Sequence, residues 1–271
     1  METSVRRGIS AAVLKNVAVL TMTIDHVTAF LLKKYLQSQG VLRLYDSFWY
    51  TLGRDIGRIA FVLYAFMIAE GAYRTHNKGK YALRLLILAV ISIVPHSYCN
   101  IGKPFNPEDR NIFFLLLLGL LTIYAWEWLR DHIGQAGVSV LLRGLLLVAS
   151  CAVSELLKFE YGLMGILLIL VFHIYRYDLR KTVIAGALVT TVGYMIHVIV
   201  YSGAVHWITS HSNHLLESLL NADRVQVFGV LALPLIYFYN GRKGRQFSKW
   251  FYYLYYPAHL GIIAVILHFA F

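Results

Sequence analysis

Leu14-Lys15-Asn16-Val17-Ala18-Val19-Leu20-Thr21-Met22-Thr23-Ile24-Asp25-His26 opens an apolar run that continues to Lys34. The run follows Arg6 and Arg7 as a secretory signal would, but Asp25 and His26 interrupt it and no small-residue cleavage site comes after it. It therefore reads as a retained first helix. Its length suits one bilayer crossing, which takes about 20 apolar residues. Further runs of this kind lie at about 54–73, 81–98, 111–129, 137–157, 161–176, 181–202, 224–240 and 250–271. They predict an all-α fold, a polytopic integral membrane helical bundle of about nine transmembrane helices, 8 to 10 in range, in a single domain over 1–271. The segment 203–223 is too polar to span and is expected to be an extracytoplasmic loop or an interfacial helix starting near Trp207.

Composition supports this reading. Of the 271 residues 58% are hydrophobic and 14% charged, and the mean hydropathy is +0.60. Soluble domains carry about 25% charged residues, so this chain cannot supply the polar skin of a soluble enzyme. Disordered and collagenous chains are excluded too. The net charge of +11 comes from Lys and Arg clustered between the apolar runs, the pattern of loops retained in the cytoplasm rather than of a nucleic-acid surface. With the N-terminus cytoplasmic, the inside segments hold thirteen cations against eight outside. Cys99 and Cys151 have neither metal spacing nor the number for a disulfide framework. His206, His211 and His214 lack a convincing ligand set, and no metal is expected.

An ionised group near the bilayer centre costs at least about 2.5–3.5 kcal/mol, so each one inside a span is a candidate for function. Lys15 and His26 are eleven residues apart, about three helical turns, which puts both on one face with His26 roughly 16 Å deeper. A histidine there can act as general base; the bland alternative is a buried histidine bonding neighbouring helices. Asp25 points about 100° away from His26, which makes a direct pair doubtful. In the second run, Gly53 and Gly57 offer a small-residue surface for a close helix neighbour, and Asp55 and Arg58 are spaced to pair. Arg54 and Asp55 suit an ion pair at a helix end, while the planar fork of the deeper Arg58 suits a phosphate or carbonyl oxygen. Glu70 could partner a basic group or reach water. The basic loop holding Arg74, Lys78, Lys80 and Arg84 is either a topology anchor or a landing site for a phosphorylated ligand. In the last run Pro257 and His259 follow an aromatic belt, and the proline frees a carbonyl where a polar side chain enters.

An ordered set of segments runs from Leu14-Lys15-Asn16 and Met22-Thr23-Ile24-Asp25-His26 through Gly57-Arg58-Ile59-Ala60-Phe61, Ala69-Glu70-Gly71, Lys80-Tyr81, Arg84-Leu85 and Asn111 with Gly119-Leu120. It continues with Tyr161-Gly162, Gly165, Tyr239-Asn240-Gly241, Gly244 and Tyr255-Tyr256-Pro257-Ala258-His259-Leu260. The set resembles the TraX family, named for the membrane protein that N-acetylates F-type conjugative pilin, and it covers nearly the whole chain. That family is similar to a wider class of transmembrane acyltransferases whose first helix carries a basic residue, ten intervening residues and a catalytic histidine. Lys15 and His26 have that spacing.

The resemblance implies a bacterial inner-membrane acetyltransferase using cytoplasmic acetyl-CoA as co-substrate. It implies Lys15 and His26 as the catalytic pair and Arg58, Arg84 and Arg54 for CoA binding; the residues themselves add Asp25 to the catalytic set and Glu70, Lys78, Lys80, Asn111 and His259 around the donor, with Arg58 or Asn111 serving the oxyanion. The partners it implies are the lipid bilayer and a peptide, glycan or lipid acceptor bearing an amine or hydroxyl; oligomeric state stays open. A rival reading is a proton-coupled transporter with a relay of Asp25, His26, Arg58 and Glu70. A third is a membrane scaffold, which leaves the buried charges unexplained.

Overall fold

The structure is a computed structural model and describes residues 8–193 and 227–270. The first run forms α1 (Ala11–His26), which passes without a break through π-helical turns at Val27–Leu32 into α2 (Lys33–Ser38). The wider turns begin at the residue after His26, and such turns inside α-helices are frequent at functional sites.

At the centre stands α3 (Phe48–Arg74), packed against α1 on one side and α8 (Gly162–Ile174) on another. Its glycines let α1 come close. A Cβ on Gly57 would overlap the Asp25 side chain, and one on Gly53 would overlap Thr28, so the small-residue surface serves as expected. The run at 81–98 is two helices, α4 (Lys78–Ile91) and α5 (Ile93–Ile101), bent by 40° at Ser92. Pro95 has no N–H for the Ile91 carbonyl, which accounts for the break. Gly102, at φ 71°, closes α5 in the left-handed conformation.

Asn111 caps α6 (Ile112–His132), which is followed by α7 (Ala136–Leu156), α8 and α9 (Leu179–Leu188). After the undescribed stretch come a 3₁₀ turn at Phe228–Ala232, α10 (Leu233–Tyr237) and α11 (Lys249–Ala270), which continues through Pro257. Ile9 pairs with Tyr239 in an isolated parallel bridge. Among the described residues there is no strand. The core lies around α3, α6 and α8, where Leu63, Leu115, Leu120, Ile166 and Phe172 are fully buried. Val140, Leu141, Leu145 and Val148 of α7 are exposed, an apolar face that fits lipid rather than water.

The all-α membrane character of the chain stands, but nine spans are not found. Among the described residues α3, α6, α7 and α11 are long and apolar enough to cross a membrane, and α4 with α5 makes a fifth if the bent pair is one span. Hydropathy registers a run's total apolarity and misses where a helix breaks. Thus α8 has 13 residues and α9 has 10 before further π-helical turns. The rest of the runs at 181–202 and 224–240, with segment 203–223 and His197, His206, His211, His214 and Arg224, lies outside the described residues.

One end of the bundle gathers the basic loops. Arg74 donates to the Gly241 carbonyl at 2.8 Å and Lys78 to Glu127 at 3.1 Å. At the other end Arg110 reaches the Leu157 carbonyl and Lys158 pairs with Glu108.

Gly57→Leu should lower the thermal unfolding midpoint in detergent by the equivalent of about 1–3 kcal/mol, the cost of overpacking. Gly144→Leu, at a site where an added Cβ meets nothing within 4 Å, should leave the midpoint near that of the parent; equal effects would contradict the packing.

Candidate functional site

Two cavities lie end to end along α1 and α3. The distal one, about 360 Å³, is lined by Asp25, His26, Arg54, Arg58, His96, Glu160 and Tyr161 among others. The basal one, about 420 Å³, lies toward the end with the basic loops and is lined by Lys15, Arg74, Arg84, Lys243, Gln246 and several tyrosines. Met22, Tyr64, Ile112 and Tyr256 line both and form the partition between them. Within it the Tyr64 hydroxyl donates to the Met22 sulfur at 3.6 Å.

On the distal side Asp25 is held by two arginines of α3, from Arg54 Nη1 at 2.7 Å and Arg58 Nη2 at 2.5 Å. The Arg58 and Asp25 side chains are only 7% and 13% exposed. Arg58 also donates to the Tyr161 hydroxyl at 3.1 Å, and Tyr161 stacks on Phe61. The spacing of Asp55 and Arg58 predicted a pair within α3. The glycine-permitted approach of α1 instead supplies Asp25, which lies within hydrogen-bond reach of Arg58.

His26, as its helical phase required, does not engage Asp25. Its Nδ1 lies 2.6 Å from His259 Nε2 on α11, and its ring packs near Phe30 and Tyr256. Lys15 faces the same helix three turns lower, donating to Gln246 at 3.1 Å beside the Tyr252 ring. The two residues share a face toward α11 as the sequence spacing implied, yet the partition sends one to each cavity.

The other expected residues divide. Glu70 lines the basal cavity and accepts from Arg74 at 2.6 Å and from the Tyr239 hydroxyl at 2.9 Å. Arg84 lines it as well, donating to the Tyr253 hydroxyl. Lys78 and Lys80 line neither cavity; Lys78 is spent on Glu127. Asn111 lies outside both, with its amide given to the Ala89 carbonyl at 2.8 Å and its oxygen accepting from the Phe113 amide as the α6 cap. Its amide nitrogen and its oxygen each serve a helix end. His259 lines neither cavity and stands behind His26. Arg54 and Arg58 belong to the distal side, across the partition from the basic cavity.

Sequence reading passed over His96, Glu160, Gln246 and the pairing tyrosines. His96 Nδ1 lies 3.4 Å from Asp109 and its Nε2 lies 3.7 Å from Glu160. A histidine directly after Pro95 in an apolar run was the available signal. Burial works against the charge of Asp109, but His96 and Asn100 outweigh it and hold this loop carboxyl below the usual carboxylate range. Its stabilising contribution is present at neutral pH and is lost as acid protonates the group.

Fold and site together define a membrane-embedded helical protein with a histidine pair at the distal of two cavities. A family model described as TraX protein matches residues 10–267, and the chain belongs to that family. It is similar to the probable fimbrial assembly protein FimC, serogroup H1, of Dichelobacter nodosus, with 28% identity over 257 residues covering 94% of each chain. No solved structure matches it.

Asp25→Ala leaves two arginines facing each other without their carboxylate. It should cost of the order of 3 kcal/mol, as breaking a buried pair does, well beyond Asp55→Ala in thermal unfolding of the purified protein. Equal losses would show that the pair is not what holds α1 to α3.

Proposed function

We propose that the chain is an integral-membrane acetyltransferase that takes acetyl from cytoplasmic acetyl-CoA and passes it to an amine or hydroxyl acceptor. The observation that carries this reading is the position of His26, on the distal side of a four-residue partition whose other side is a basic, tyrosine-lined cavity.

The basal cavity suits the donor. Lys15, Arg74, Arg84 and Lys243 outnumber Glu70 there and would attract acidic phosphates, while its apolar walls suit a pantetheine arm. The positive-inside rule puts this end in the cytoplasm, and the distal cavity toward the opposite face. An acceptor in the distal cavity would give its proton to His26 as its lone pair attacks the thioester carbonyl. The Arg58 guanidinium, which lines the distal cavity, would favour the oxyanion by its charge, and the departing sulfur takes the proton back. The name of the similar fimbrial assembly protein, with the pilin acetylation for which the family is named, favours a peptide amine as acceptor in a bacterial inner membrane.

The transporter reading gains some support from the α4–α5 break. Its proposed relay does not assemble: Asp25 and Arg58 pair in the distal cavity, while Glu70 joins Arg74 and Tyr239 in the basal one.

In lipid nanodiscs with acetyl-CoA and an amine-bearing peptide, His26→Ala should reduce turnover by about 10²-fold or more, the scale of a lost general base. Acetyl-CoA should raise the thermal midpoint of the parent protein, as a ligand of the native state must. Arg84→Ala with Lys243→Ala should diminish that shift while Lys80→Ala leaves it intact. Absence of both a thermal shift and turnover would remove the acetyl-CoA reading.

A further inference from the structure

The histidine pair carries an inference that rests on the acetyltransferase reading for its consequence but not for its geometry. His259 Nδ1 lies 2.8 Å from the Tyr255 carbonyl oxygen. A carbonyl can only accept, so the hydrogen of that bond belongs to His259 Nδ1. In a neutral ring the other nitrogen, Nε2, then carries a lone pair. That nitrogen lies 2.6 Å from His26 Nδ1, a separation that needs one hydrogen between the two atoms, and His26 has to supply it.

The rings agree with this arrangement. Their planes differ by 4° and their centroids are 4.9 Å apart. Coplanar rings joined edge to edge through two nitrogens have this geometry, whereas face-to-face stacking could not bring those nitrogens so close. His26 lines the distal cavity and His259 lines neither.

We propose that His259 is the positioning residue of the site: it holds His26 in the Nδ1–H tautomer and so reserves the His26 Nε2 lone pair as the base. The backbone carbonyl of Tyr255 anchors the chain of hydrogen bonds, and Phe30 and Tyr256 fix the ring from its other sides. Asp25 is committed to Arg54 and Arg58, so a second histidine takes the orienting place that a carboxylate fills beside many catalytic histidines. In the reaction the acceptor's proton moves to His26 Nε2 as the new C–N or C–O bond forms. It leaves with the CoA sulfur as the thioester C–S bond breaks. Throughout, the Nδ1 hydrogen stays in the bond to His259.

The test has two arms on the full-length protein in nanodiscs. Nitrogen-15 spectra of histidine-labelled protein, assigned with His26→Gln, should show the His26 hydrogen on Nδ1, and His259→Leu should abolish that signature. A hydrogen on His26 Nε2 in the parent, including the case where a charged His259 donates to His26, overturns the proposal. This arm needs no turnover, so it stands apart from the acetyltransferase reading. In the second arm His259→Leu should lower kcat ~10-fold or more, with the KM for acetyl-CoA within about twofold of the parent. His259→Gln, whose side-chain oxygen can accept from His26 Nδ1, should recover most of the rate. Equal loss in both variants, or a rise in KM with kcat unchanged, would refute the positioning role.

Discussion

A carboxylate set between two guanidinium groups where α1 meets α3 is the interaction on which the arrangement of the site rests. Buried charges are tolerated when paired and hydrogen-bonded and are costly otherwise. Arg58 is therefore bound to the one α1 register that presents Asp25, and that register is reachable because Gly53 and Gly57 leave no Cβ in the way. Once α1 is fixed against α3, an adjoining side of α1 faces α11, and Lys15 and His26 meet Tyr252, Gln246 and His259 there. The two ion pairs of Asp25 and the two missing side chains thus go with the apolar packing of α1 on α3.

The same contact separates two chemistries that adjacent residues might have shared. Asp25 and His26 are neighbours in sequence, yet the helix turns them toward different partners. The carboxylate stabilises an arginine pair that lines the distal cavity, and the imidazole is left to a neutral hydrogen-bonded partner. An imidazole bonded to another imidazole keeps its basic nitrogen without the full negative charge of a carboxylate beside it, a milder environment than a histidine–aspartate pair in a site already rich in arginine.

Much of this was legible in the sequence because it depends on local periodicity. The common face of Lys15 and His26, the glycine surface of α3 and the separation of Asp25 from His26 all follow from helical phase. The division of the charged residues between two cavities did not, since it depends on which helices come together over long separations. Arg58 reads as a partner of Asp55 until α1 is placed beside it, and no spacing shows that the Asn111 side chain bonds the ends of α4 and α6. His259 could be picked out beside Pro257, but its role depends on the Tyr255 carbonyl and on His26, contacts that no spacing displays. The count of nine spans is not confirmed among the described residues for a related reason, because the break at Ser92 and the shortness of α8 belong to helix geometry rather than to apolar content.

The partition of Met22, Tyr64, Ile112 and Tyr256 also has to serve as an electrical insulator. The cavities lie toward opposite ends of the bundle, so a permanently open, water-filled passage between them would let ions run down the membrane potential, at about 2.3 kcal/mol released per charge for each 100 mV. A barrier of side chains can be displaced by rotamer changes while the backbone hydrogen bonds of the helices stay intact. A thioether, a branched alkyl group and two phenol rings are uncharged and bulky, and they can make way for an uncharged arm while still excluding hydrated ions around it. Two cavities set end to end along a membrane bundle therefore need a seal between them as much as a passage.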